Sequence, residues 1–186
     1  MNSQQEIRSL LQTFQDGYTR RDITQLDAFM ELFTPNAEVI GTNGVKPGKD
    51  EWYTNRDSAR NLVEGDWNWW GNLSLDVDSA SIQVFDNVGC IAATATVTKT
   101  MGPESYASFL ESIKTYIETS SLPAEQKLRF ILRGGTNILY ELGRGDKFVW
   151  ALRFTAVVVR GVGGWKFAQV NFSFPTTTYP DVRIVD

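Results

Sequence analysis

The sequence predicts an α+β fold, a curved antiparallel sheet packed on segregated helices. Three observations carry that prediction. Apolar residues recur at helical spacing through the first third of the chain. From Leu73 onward the period switches to two, giving four long strands. Between residues 103 and 142 helical spacing returns, inside the run of strands.

Ile7, Leu10, Leu11, Phe14 and Tyr18 fall on one face of an opening helix, and Ser3 with Glu6 has the separation of a capping box. Leu26, Phe29, Met30 and Phe33 suggest a second short helix that Pro35 ends. Ala37 to Ile40 reads as a strand closed by Gly41-Thr42-Asn43-Gly44. A third helix is expected from about Gly48 to Val63, with Trp52, Ala59, Leu62 and Val63 on its buried stripe and Gly65 as its stop.

Leu73, Leu75 and Val77 then alternate with polar residues. The apolar parity flips at Ala80, Ile82 and Val84, which predicts a bulge near Ser79. Asp86 to Gly89 is a turn, and the returning strand begins at Cys90, read as a small buried side chain. In the insertion, Pro103 suits a first helical turn, with Tyr106, Phe109, Leu110, Ile113 and Ile117 as a stripe. After the break at Ser120 to Pro123, a second helix carries Gly134-Gly135, a place for a kink or a close approach. Phe148 to Arg160 and Trp165 to Thr176 form the last two strands, joined by Gly161 to Gly164.

Composition narrows the chemistry. The 186 residues and 20.9 kDa suit a single domain spanning 1–186 with the helical insertion 103–142 inside it. Eighteen Lys+Arg against 22 Asp+Glu give a net charge of −4 without charge runs, so no nucleic-acid partner is expected. No apolar run is long enough to span a bilayer, and no targeting segment is visible, so the expected location is cytoplasmic, away from any membrane. The single cysteine fits a reducing compartment. There is no histidine, which removes serine and cysteine triads and every imidazole base. No metal-ligand pattern or cofactor motif is present, and none is expected.

Three stretches resemble the nuclear transport factor 2-like superfamily, and within it the SnoaL-like domains. They are the opening helix with Leu32 to Val39, then Asp66-Trp67-Asn68-Trp69-Trp70-Gly71, and the closing strand from Gly164 to Pro175. The likeness covers roughly residues 5–101 and 147–176. It implies a cone-shaped sheet whose open end forms a pocket, and a homodimer formed through the sheet. It does not imply one reaction.

The ketosteroid isomerases of this superfamily use an Asp base after the first strand and a Tyr donor on the first helix. Alignment on Leu32-Phe33 puts Gly41 at the base position and Phe14 near the Tyr position, with Tyr18 one turn on. The cyclases and dehydratases use histidine, where this chain has Gln169-Val170-Asn171. The epoxide hydrolases use Arg and two Asp, and Arg153-Phe154-Thr155 lacks the carboxylate.

The reading that follows is a domain that binds a small, largely apolar molecule in the cone without catalysis. Its pocket candidates are Tyr18, Trp52, Trp70, Arg153, Gln169 and Asn171. The two alternatives are an isomerase, cyclase or lyase using Glu38, Asp66 and Tyr18, and a dimeric assembly module without ligand. A buried carboxyl with a raised pKa inside the cavity would favour the enzyme. The last turn decides the grouping: an even loop puts Gln169 and Asn171 on the face of Phe154, and an odd one brings Arg153 beside them.

Overall fold

The computed structural model describes residues 2–100, 102, 104–142 and 147–174, without the side chains at 133, 136–138, 140–142, 147 and 148. Pro103 lies outside the described residues. The chain forms two compact units, Met1–Thr98 with Val149–Asp186, and Lys99–Phe148.

The first unit opens with α1 (Ser3–Arg20). Its cap is Asn2 with Gln5, each side chain bonding the other's backbone N–H, and not the expected Ser3 and Glu6. Ile7, Leu11, Phe14 and Tyr18 are its buried stripe, whereas Leu10 is only half-buried. A 3₁₀ turn (Ile23–Gln25) leads into α2 (Leu26–Met30). Phe33 and Pro35 then belong to β1 (Phe33–Ile40), so the helix ends earlier than Pro35 suggests.

The expected helix from Gly48 is corrected. Lys46 and Lys49 form an isolated bridge, and Trp52–Tyr53 is a short strand, β2, paired with β1. The helix α3 (Arg56–Gly65) starts where the Asn55 side chain accepts from Ser58 N at 2.8 Å. Gly65 does not stop it. The chain continues through a π-helical turn, Asp66–Trp70, and leaves at Gly71, whose φ of 117° a side chain would oppose.

The strands β3 (Asn72–Leu75) and β4 (Ser81–Phe85) pair with β5 (Val88–Thr100). The parity flip near Ser79 is a loop between two separate strands and not a bulge. Arg8 holds that loop, donating to the carbonyls of Val77, Asp78 and Ala80. Cys90 is exposed, because Gly89 and Ile91 take the inward positions on either side of it. The strands β6 (Lys147–Gly161) and β7 (Gly164–Ser173) complete an unclosed sheet of order β2-β1-β7-β6-β5-β3, with β4 on β5. β1 runs parallel to β7, so the sheet is mixed and not wholly antiparallel.

Aromatic rings fill the space between α1 and the sheet. Phe14 lies 4.9 Å from Tyr18, 5.4 Å from Phe29 and Phe154, and 5.3 Å from Phe167 by ring centroids. All five are buried.

The β6–β7 loop, Val162-Gly163, has two residues, yet Arg153 still joins Gln169 and Asn171. Val158 pairs with Phe167 but Val157 pairs with Gln169, so Ala168 is an extra residue on β7. Beyond it Thr155 faces Asn171 and Arg153 faces Ser173, while Phe154 and Phe172 point into the core.

In the second unit α4 (Glu104–Thr119) and α5 (Ala124–Leu142) form a helical hairpin. Tyr116 stacks on Phe130 at 4.1 Å, and a Cβ on Gly134 would lie 2.7 Å from Phe109 Cζ. Of the glycine pair, Gly134 thus marks a close approach and Gly135 does not. No helix among the described residues is long and apolar enough to cross a membrane.

Candidate functional site

A cavity of about 90 Å³ opens where β1 gives way to the loop before β2. The loop supplies Gly41, Thr42, Asn43 and Glu51 to its wall. Leu62, Asp66 and Trp70 come from α3 and the π-helical turn, and Phe172 comes from β7. Trp70 meets Phe172 edge-on at 5.6 Å. The extra residue per turn of a π-helix re-aims successive side chains. Here it sends Asp66 and Trp70 to this cavity and Trp67 to a larger hollow of about 220 Å³ between α1 and α2, floored by Gly17 and Phe29. The only carboxylate on that larger hollow, Asp22, is engaged in capping Thr24. The smaller cavity holds the unusual chemistry.

Asp66 carries it. Burial pushes its carboxyl up to about 7, and the negative charge of Glu51 pushes the same way. A hydrogen bond from the Tyr18 hydroxyl to Asp66 Oδ2, at 2.9 Å, and the Arg21 guanidinium oppose the rise without cancelling it. The Tyr18 phenol is raised well above its ordinary value, first by burial and then by the Asp66 charge, so it stays a donor. Burial lowers Arg21, and the Asp66 and Tyr18 charges resist. Arg21 occupies the left-handed region at φ 50°, its Nε donating to the Tyr18 carbonyl at 3.1 Å, and its Nη2 is buried without a partner. Near neutral pH the site therefore holds a carboxyl that exchanges a proton readily, with a tyrosine fixed on one of its oxygens.

Glu51 is fastened from the loop. Its Oε2 accepts from Asn43 N at 2.9 Å and its Oε1 from Asn43 Nδ2 at 3.0 Å. Gly41 N donates to the Glu51 carbonyl at 2.8 Å, closing the loop at its base.

The six pocket candidates do not converge. Trp70 lines the cavity, and Tyr18 reaches it through Asp66. Trp52 lies opposite Ile40, which neighbours Asn171, and so falls on the sheet face away from the aromatic core. Gln169, Asn171 and Arg153 share that face through the extra Ala168. Arg153 donates to the Phe174 carbonyl at 3.0 Å, and Gln169 donates to Glu38 at 3.0 Å. Glu38 is thereby separated from Asp66 and Tyr18, the other two carboxylate and tyrosine candidates. Sequence reasoning missed Glu51 and Arg21. Neither sits in a periodic segment, and the one available signal was the side-chain-free Gly41 facing a loop that ends in a carboxylate.

The SnoaL-like domain model matches residues 7–113, more than half of the chain. Comparison with curated protein sequences gives no match. Solved structures are similar along nearly the whole chain. A nuclear transport factor 2-like superfamily protein from Salmonella enterica serovar Typhimurium is 13% identical with a TM-score of 0.58, over 96% of this chain and 95% of that one. A protein of the same kind with a cystatin-like fold, from Novosphingobium aromaticivorans, is 10% identical with a TM-score of 0.59, over 95% and 84%. A proposed dehydratase of that family from Streptomyces avermitilis is 12% identical with a TM-score of 0.57, over 93% and 96%. At such identities the likeness speaks for the fold alone. The matched family model covers more than half of the chain and the similar structures share its fold: the chain belongs to the SnoaL-like domain family.

Proposed function

We propose that the protein is an acid–base enzyme acting on a small carbonyl compound, in the isomerase, cyclase or lyase class. The observation that supports this is the Asp66 carboxyl, pushed up to about 7 on the wall of a cavity and held by Tyr18. A protonated carboxyl there donates to a carbonyl oxygen while a proton leaves a neighbouring carbon. Trp70, Phe172 and Leu62 supply the apolar wall against which a small substrate lies. Binding without catalysis accounts for those apolar residues but gives no reason for a withdrawn, proton-holding Asp66. A neighbour in fold proposed as a dehydratase is consistent with lyase chemistry and carries no further weight.

The test uses acetone, whose four heavy atoms suit the cavity. Exchange of its methyl protons in D₂O at neutral pH is followed by proton NMR. Wild-type protein should accelerate exchange beyond equimolar acetate, and Asp66→Asn should lower the enhancement by roughly 100-fold or more. Exchange no faster than with acetate would refute the enzyme reading.

A further inference from the structure

We propose that Glu51, brought in by the loop between β1 and β2, is the proton acceptor that works opposite Asp66, and that the missing side chain at Gly41 is what admits it. This rests on the acid–base reading above.

Three observations lead there. Glu51 and Asp66 line the same small cavity from different elements. A Cβ on residue 41 would lie 2.4 Å from Glu51 Oε2 and 2.8 Å from Glu51 Cβ, so the carboxylate occupies the space a side chain at 41 would take. The carboxylate is also oriented, with Asn43 donating once to each oxygen. Those two bonds leave a lone pair on each oxygen for a proton. Burial favours the protonated form of Asp66, which makes it the donor of the pair.

The charged and titratable groups facing Asp66 are Tyr18 and Arg21 at the end of α1 and Glu51 from the loop. Tyr53 on β2 feels both carboxylates. Arg21 draws Asp66 toward ionisation, and Glu51 acts the other way. Glu51 thus has two effects from one position: it accepts a proton and helps Asp66 keep one.

For a ketone the step balances as follows. The α-carbon–hydrogen bond breaks and its proton goes to a Glu51 oxygen. The electron pair forms the enol double bond, and Asp66 gives its proton to the carbonyl oxygen. Reversal after the carboxyls exchange with solvent puts deuterium on carbon.

The experiment measures acetone exchange in D₂O and the Asp66 titration by carboxyl carbon NMR. Wild type is compared with Glu51→Gln, Glu51→Asp and Gly41→Ala. Glu51→Gln should lose roughly 100-fold or more in exchange, and the Asp66 midpoint should fall. Glu51→Asp keeps the charge and should recover part of both. Gly41→Ala keeps both carboxyls but displaces Glu51, and should behave like Glu51→Gln. Exchange in Glu51→Gln equal to wild type overturns this assignment and leaves the Asp66 reading standing. Absence of exchange in wild type overturns both.

Discussion

The Tyr18 hydroxyl, buried on α1, donates to Asp66 Oδ2 at 2.9 Å and joins the first helix to the π-helical turn after the third. Burial of that carboxyl, which the bond only partly offsets, ties the protein's stability to the protonation of its candidate site.

Asp66 should make the fold less stable as pH rises. Below its ordinary value of 3.8 both native and unfolded chains hold the proton. Above it the unfolded chain loses the proton first, and stability falls until pH passes the native value of about 7. The loss is about 2–4 kcal/mol once partial exposure is allowed for. Thermal unfolding should show a lower Tm at pH 7.5 than at pH 4.5, and Asp66→Asn should flatten that difference. Equal slopes in the two proteins would contradict the assignment.

Tyr18→Phe keeps the ring against Phe14 and Trp67 but removes the donor that favours the charged carboxyl. The Asp66 midpoint should therefore rise above its value in the parent. Stability at acidic pH should drop by about 1 kcal/mol. Carboxyl carbon NMR and urea unfolding check the two parts separately.

Gly17→Ala should destabilise the protein although alanine suits helices better by about 1 kcal/mol. A Cβ there would lie 2.4 Å from Phe29 Cδ2, and relieving such a contact costs about 1–3 kcal/mol. A urea midpoint above that of the parent would show that Phe29 gives way freely.

The two adjacent glycines of α5 should respond in opposite directions. Nothing lies within 4 Å of a Cβ on Gly135, whereas one on Gly134 would press on Phe109 at 2.7 Å. Gly135→Ala should slow amide exchange in α5, with a gain of up to about 1 kcal/mol. Gly134→Ala should speed it. Hydrogen exchange read by mass spectrometry on peptides from 124–142 distinguishes them.

Long periodic segments were legible in the sequence: the α1 stripe, the strands β5 and β6 and the helical hairpin follow from spacing, whereas the break between β3 and β4 and the extra Ala168 of β7 do not. Residues 44–55 misled because Trp52, Ala59 and Val63 happen to fall at helical spacing, and Asn55, the actual cap, stands between them. Tyr18 and Asp66 were nameable because they are a phenol and a carboxylate next to apolar runs. Their pairing was not, since 48 residues separate them and only the fold closes that distance. Glu51 was invisible for a different reason: its position depends on what residue 41 lacks.

A β-strand is read like a message in a frame of two, and Ala168 is a one-letter insertion in it. Before it the odd-numbered Trp165 and Phe167 are buried; after it the even-numbered Val170 and Phe172 are. A register that paired Ala168 as an ordinary strand residue would instead carry the first alternation unbroken through the strand. It would swing Gln169 and Asn171 toward the aromatic cluster and turn Val170 and Phe172 outward, taking from the small cavity the ring that faces Trp70.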